Sequence, residues 1–197
     1  MAHPADRWLA FETTHVVLDP PEELIAERER LGLDFRDEVW GGHYHMVPAA
    51  NNEHQRLGFE LILILGPLAR ARGLEYRYET GLYDPLASRP SWFVPDQLAF
   101  RPEDATRRGV EGRAELVIEF RSPGDETYQK IPHYERIGVQ EVLVIDRDTK
   151  AVRHWTRQNE RLVDTTATPV ELQAVEARLW TEGETLLVET AAGTHRI

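Results

Sequence analysis

Apolar positions gather twice in the middle of the chain, and the two clusters are alike. Glu115-Leu116-Val117-Ile118-Glu119-Phe120 is a nearly continuous run stopped by Ser122-Pro123-Gly124, and Val142-Leu143-Val144-Ile145 is a second run closed by Asp146. Both are rich in β-branched residues, the pattern of strands covered on two faces. Between them residues 125–138 are polar, with Ile131, Tyr134 and Ile137 at near-helical spacing. The unit reads as strand, helix, strand, the strands parallel and joined by a right-handed crossover. Glu119 lies in the more apolar strand, where a carboxylate is costly unless a positive group meets it.

The flanking patterns are weaker. The first eighteen residues offer only Trp8, Phe11 and the run Val16-Val17-Leu18. Asp19-Pro20-Pro21-Glu22 then predicts a helix start, with Asp19 as N-cap, proline in the first turn, Glu22 and Glu23 at the positive end of the dipole, and Gly32 as the stop. Over residues 35–47, Glu38-Val39-Trp40, Gly41-Gly42 and His43-Tyr44-His45 predict two short strands around a turn. His43 and His45 then share a face, a spacing open to a metal pair and, more commonly, to a plain wet face. Asn52 and Gln55 resemble a capping box opening a helix that carries Leu57, Leu61, Ile64, Leu65 and Leu68 and ends at Gly73. Residues 61–65 taken alone also read as a strand. Gly66-Pro67 predicts a kink or break, and His54 in the first turn reads as a surface polar group.

Residues 74–100 have a β texture, and Pro95 marks a strand start, edge or bulge that puts Asp96 at a bend. Residues 101–113, with Pro, Gly and charge, read as a mobile loop. Beyond residue 147, short runs separated by turn residues read as a β-meander extending the sheet. No repeat and no second domain is evident. We expect one domain over residues 1–197, with an N-terminal extension (1–18) and a β-rich C-terminal extension (148–197).

Composition narrows the function classes. The chain has 197 residues, 41% hydrophobic and 29% charged, as in an ordinary soluble globular domain. It has no cysteine, which excludes a disulfide framework, a thiolate nucleophile and a Cys-ligated metal, and fits a cytoplasmic setting. No apolar run approaches the ~18 residues of a membrane span, and no basic region precedes one at the N-terminus. A net charge of −11 argues against a broad basic surface for nucleic acid and leaves only local patches or bound cations.

Pro95-Asp96, then Glu119 in a buried strand, then a nearby basic residue, resembles the PD-(D/E)XK nuclease pattern. More narrowly, Val94-Pro95-Asp96, Leu116-Val117-Ile118-Glu119-Phe120-Arg121-Ser122-Pro123, Lys130, Tyr134 and Gly138-Val139-Gln140-Glu141-Val142-Leu143-Val144-Ile145-Asp146 resemble the Uma-type restriction endonuclease family. Glu38-Val39-Trp40-Gly41-Gly42 and Glu53-His54-Gln55 match its opening hairpin and first long helix. The likeness covers residues 20–155. It implies an α/β (mixed), restriction-endonuclease-like fold with a central mixed sheet flanked by helices. It also implies DNA as substrate, Mg²⁺ (or Mn²⁺) as cofactor and a homodimer. It assigns Asp96, Glu119 and Lys130 to catalysis, and Asp96, Glu119 and the Phe120 carbonyl to the metal. Glu38, His54, Arg121 and Tyr134 become accessory candidates.

The chemistry needs such a set. Phosphodiester hydrolysis requires charge neutralisation and an activated water, which a divalent ion supplies, and magnesium accepts two carboxylates and a carbonyl while keeping several waters. In the plain superfamily pattern the lysine stands two residues after the acid, but here that position is Arg121, which stays protonated and cannot act as a base. The family places the lysine on the following helix, at Lys130. The chain has only two lysines, 130 and 150, against twenty-one arginines. Pro132 suits a helix beginning near Ile131, with Lys130 at its entrance.

Ordinary alternatives stand beside each assignment. Glu126 and Lys130 have the spacing of a surface helical pair worth ~0.2–0.5 kcal/mol, Arg121 is an available partner for Glu119, and Asp96 after proline is a turn former. Arg107, Arg108 and Arg113 are candidate DNA contacts or solvated loop charges. The leading reading is a Mg²⁺-dependent endonuclease hydrolysing DNA. The alternative is a catalytically silent nuclease-fold module that binds nucleic acid or a protein. A glycosidase-like carboxylate pair, suggested by Tyr76, Tyr78, Tyr83 and Trp92, ranks third.

Overall fold

A computed structural model describes residues 15–18 and 20–197. The chain runs β1 (His15–Leu18), α1 (Glu22–Leu31), β2 (Glu38–Trp40), β3 (His43–Met46), α2 (Asn52–Ala71), β4 (Glu75–Tyr78), β5 (Leu82–Tyr83), β6 (Trp92–Phe93), β7 (Gln97–Phe100) and β8 (Val110–Glu111). It continues through β9 (Leu116–Arg121), α3 (Thr127–Ile137), β10 (Glu141–Asp146), β11 (Val152–Gln158), β12 (Arg161–Asp164), β13 (Val170–Leu172), β14 (Ala177–Glu182), β15 (Thr185–Thr190) and β16 (Gly193–Arg196). The architecture is mixed α/β, as the patterning predicts.

The central sheet has the order β12-β11-β10-β9-β7-β4. Its middle pair, β9 and β10, is parallel and joined through α3, which is the expected strand-helix-strand unit. Alternation along β9 assigns its two faces. Leu116, Ile118 and Phe120 face a core shared with Leu57, Leu61 and Leu65 of α2, while Val117 faces the other, with Tyr134 and Ile137 of α3. Glu119 shares the parity of Val117, so its carboxylate comes out on the α3 side, where Lys130 and Tyr134 reach it.

Local rules are overridden in three places. Asn51 rather than Asn52 caps α2, its side chain accepting the His54 N–H at 3.0 Å, and the Gln55 amide is taken instead by the Tyr78 hydroxyl at 2.7 Å. The expected break at Pro67 does not occur, for α2 is continuous from Asn52 to Ala71. Pro67 lies on the exposed face, where water can satisfy the carbonyl it leaves free. Burial of Leu57, Leu61 and Leu65, worth ~1.5–3 kcal/mol each, outweighs a proline cost of ~3 kcal/mol. Likewise α3 begins at Thr127, so Pro132 is internal and Lys130 lies within the helix rather than at its entrance.

Elsewhere, α1 begins at Glu22 with Pro21 at the cap position, so the expected Asp19 cap with proline inside the first turn is not what forms. The helix ends at Gly32 in the left-handed conformation (φ 65°), as expected, and Asp19 and the early Trp8 and Phe11 lie outside the described residues. The Gly41-Gly42 hairpin forms and joins a second sheet, β1-β3-β2-β6-β5-β8. Residues 101–113 are not a bare loop. They contain a 3₁₀ turn, Pro102–Asp104, and β8, which pairs with β5. After residue 147 only β11 and β12 extend the central sheet. β13 to β16 form their own antiparallel sheet, because Val170, Leu172, Leu179, Leu186 and Val188 turn inward onto the α2 side of the core.

Candidate active site

Four segments converge beyond the end of β9: the β2 hairpin, the first turn of α2, the bend before β7, and α3. Their side chains enclose a cavity of about 110 Å³ lined by Glu38, His54, Asp96, Glu119, Phe120 and Lys130, with Arg36, Ser122 and Arg147 around it.

Asp96 is fixed at both oxygens. Its Oδ2 accepts the Phe120 backbone N–H at 2.6 Å, which binds the bend before β7 to β9, and its Oδ1 lies 2.8 Å from His54 Nε2. The His54 ring packs edge-on against Phe120, with centroids 5.1 Å apart. Burial works against the His54 imidazolium, but the Asp96 hydrogen bond and charge outweigh it and hold the ring's pKa above its ordinary value. His54 is therefore part of the cavity wall, not a surface group.

Glu119 is 4% exposed and Glu38 is 2% exposed, and Lys130 joins them. Its Nζ donates to Glu38 Oε1 at 2.8 Å and to Glu119 Oε1 at 3.2 Å. The Tyr134 hydroxyl also donates to Glu119 Oε1. Glu38 further accepts the Val94 N–H at 2.8 Å and the Trp40 indole N–H at 2.9 Å. Burial pushes the Glu119 carboxyl up; Lys130 pulls it down, while Asp96 and Glu38 push it up again. Burial disfavours the Lys130 ammonium, yet Glu119 and Glu38 hold it firmly protonated. Six carboxylates (Glu38, Glu79, Asp96, Glu119, Asp125 and Glu126) thus line one small cavity with one ammonium, the guanidiniums of Arg36 and Arg147, and one imidazole.

The expected groups therefore come together with one set of exceptions. Asp96, Glu119, Lys130, Phe120, Glu38, His54 and Tyr134 meet. Arg121 does not, because its guanidinium donates to Asp146 Oδ2 at 2.9 Å, its register partner across the parallel pair. It is therefore not the partner of Glu119. The helical pair Glu126–Lys130 does not form either, since Glu126 accepts from His45 Nδ1 at 2.9 Å. That contact, a 3.3 Å approach of His45 Nε2 to the Trp40 carbonyl and stacking on the Trp40 ring at 3.7 Å leave His45 no free nitrogen for a metal shared with His43. Arg107, Arg108 and Arg113 do not line this cavity.

Sequence reasoning missed Arg36, Ser122 and Arg147. Arg36 pairs with Glu79, and Arg147, 7% exposed as a residue, donates through its guanidinium to Ser122 Oγ at 3.3 Å. Arg147 lies just past the second apolar run, the single sequence signal that could have marked it.

A family model described as "Putative restriction endonuclease" (Uma2) matches residues 23–185. The chain belongs to the Uma2 family. Among solved structures it is similar to one described as "a putative nuclease belonging to DUF820" from Anabaena variabilis, at 18% identity and a TM-score of 0.56, covering 71% of this chain and 83% of that one. That likeness shows a shared fold. No curated protein matches the chain. Membership of the Uma2 family makes it a nuclease-like protein, and no helix among the described residues is long and apolar enough to cross a membrane.

The Uma2 cavity suits a hard divalent cation. Asp96 and Glu119 offer carboxylate oxygens, the carboxylates lining the cavity outnumber the cations lining it, and the volume has room for an ion with a few waters. Among the described residues no group of three or more His, Cys, Asp or Glu side chains gathers in metal-holding geometry. That result is compatible with magnesium, which takes one or two carboxylates and keeps its waters.

Proposed function

We propose that this chain is a divalent-metal-dependent endonuclease that hydrolyses DNA phosphodiester bonds, working as a homodimer in the cytoplasm. The observation that carries the reading is the bridge from Lys130 to Glu38 and Glu119 in the cavity that also holds Asp96. Asp96, Glu119 and the Phe120 carbonyl would hold Mg²⁺ or Mn²⁺. Bound there, the ion supplies Lewis acidity at the phosphate and an activated water.

The chain's own groups divide the remaining work. Tyr134 and Lys130 both engage Glu119 Oε1, which leaves Oε2 without a hydrogen-bond partner among the described residues. His54 and the Phe120 N–H orient Asp96, one at each oxygen. Lys130 stays protonated between two carboxylates, so its contribution is positive charge at the developing phosphorane and not proton abstraction. Glu38 anchors Lys130 and holds Val94, two residues before Asp96. Arg107, Arg108 and Arg113 supply local positive charge for the DNA backbone.

The test is supercoiled plasmid with purified protein and Mg²⁺ or Mn²⁺. Wild type should nick the plasmid, and Asp96→Ala should lose at least about a hundredfold in rate. Equal nicking by both proteins would refute the assignment. A second reading, a silent binding module, has one observation in its favour, since both Asp96 oxygens already accept hydrogen bonds. It expects no heat on titration with Mg²⁺ and no nicking.

A further inference from the structure

Beside the carboxylate cavity lies a larger one, about 500 Å³, within the usual size range of small-molecule sites. The two share Glu79 and Val94 as walls. Four aromatic rings line the second cavity: Phe35, Tyr44, Tyr83 and Trp92. Phe35 stands at its rim, 65% exposed. Tyr83 and Trp92 lie with centroids 6.3 Å apart, and the Arg108 guanidinium covers Tyr83 at 4.3 Å from the ring centroid. Planar walls with one guanidinium plane are the surface on which nucleobases stack.

The polar lining narrows the ligand. Asp37 is committed to Arg28 and Tyr44, and Glu79 to Arg36. Glu29 and Asp34 remain, and among the described residues neither carboxylate has a hydrogen-bond partner. A carboxylate accepts two parallel N–H bonds. Of the four DNA bases, guanine presents such a pair, its ring N1–H beside its exocyclic amine. Thymine sets its one N–H between two carbonyl oxygens, which a carboxylate repels.

We propose that this cavity is a nucleobase pocket that receives an unstacked guanine of the strand whose phosphate lies at Asp96 and Glu119. The pocket rests on the nuclease reading for its role, but its binding chemistry does not depend on metal. Taking a base out of the stack is how enzymes gain access to a nucleotide within a duplex. Arg108 then meets the base as well as adding to the local positive charge along the strand, and the shared wall at Val94 sets the base next to the reacting phosphate.

The test is calorimetric titration of the full chain with 2′-deoxyguanosine and with thymidine, in EDTA. Deoxyguanosine should bind about tenfold or more tightly than thymidine. Phe35→Ala and Asp34→Asn should each weaken it by about tenfold with circular dichroism unchanged, and Asp96→Ala should bind as wild type. No binding of deoxyguanosine, equal binding of both nucleosides, or binding unaltered in both pocket variants would overturn the proposal. The same preparation is assayed for plasmid nicking. Nicking without nucleoside binding overturns the pocket and leaves the nuclease reading intact; selective nucleoside binding without nicking supports the pocket and overturns the reading of the carboxylate cavity.

Discussion

Replacing Lys130 by methionine keeps the length of the side chain and removes its charge. The consequence can be worked from its surroundings. Nζ bridges Glu38 and Glu119 at 2.8 and 3.2 Å, with side-chain exposures of 13% for the lysine against 2% and 5% for the carboxylates. Solvent cannot screen those carboxylates once the ammonium is gone. Removing one partner of a buried ion pair costs ~3–5 kcal/mol, because a charge is left without compensation. In a chain of this size that is a fall in melting temperature on the order of 10 °C. Burial already pushes the Glu119 carboxyl above its ordinary 4.5. A carboxyl raised in the fold costs nothing below its unfolded value and its full penalty above its folded value. The deficit of Lys130→Met should therefore be largest at pH 8 and shrink as pH falls toward 4.5. Adding Glu119→Gln to the same chain removes one uncompensated charge while keeping an acceptor for Tyr134, so the double variant should be more stable than Lys130→Met alone. Urea unfolding in EDTA at pH 8 and pH 5 measures all three proteins. A loss below about 1 kcal/mol at pH 8, the scale of an exposed pair, would refute the buried bridge.

Two further outcomes follow from other parts of the fold. A methyl group at Gly58 would lie 3.2 Å from Phe120 Cε2 and 3.5 Å from Tyr78 Cε2. Gly58→Ala gains ~1 kcal/mol of helix propensity but strains a packed ring by ~1–3 kcal/mol, so thermal melting should show a net loss; a variant more stable than wild type would contradict the packing. His154 is 2% exposed, its Nε2 has no partner among the described residues, and burial lowers its pKa from 6.5 to about 4. The folded state then binds fewer protons than the unfolded state, and stability is lost as pH falls from 6.5 to 4 by about 3 kcal/mol. His154→Leu should lack that part of the slope in urea midpoints measured across the range, and identical slopes would rule the buried imidazole out.

What the sequence made legible is what is local or strongly patterned. The parallel pair of β9 and β10 was readable because both strands are buried on two faces and so are apolar at nearly every position. Asp96, Glu119 and Lys130 were readable from their order along the chain. His54 was marked only by the family resemblance, as an accessory candidate; its local setting reads as a surface group because its partner Asp96 lies 42 residues away. Arg121 was misjudged for a related reason: Asp146 becomes its neighbour only when the two strands pair in register. Pro67 and Pro132 are read correctly by local rules and then overruled by packing, which those rules do not contain. The separate sheet of β13 to β16 was invisible because alternation looks the same whether a strand extends an old sheet or begins a new one.

The two lysines give the site its construction. Lys150 is buried and the Lys130 side chain is 13% exposed, and each ammonium joins separate elements. Lys130 draws α3 to the β2 hairpin and to β9. Lys150, 4% exposed in the turn after β10, donates to Glu53 Oε1 at 2.7 Å and to the Arg147 carbonyl, so it holds the first turn of α2. Glu53 is adjacent to His54, and His54 orients Asp96. The Lys130 cluster thus fixes Glu119 from the α3 side of the sheet, and the Lys150 cluster fixes Asp96 from the α2 side. An ammonium is a compact charge that can meet two acceptors from different directions, whereas a guanidinium presents a broad planar fork. That difference accounts for a chain that writes its other cations as arginine and keeps lysine at the two places where separate elements must close on one small cavity.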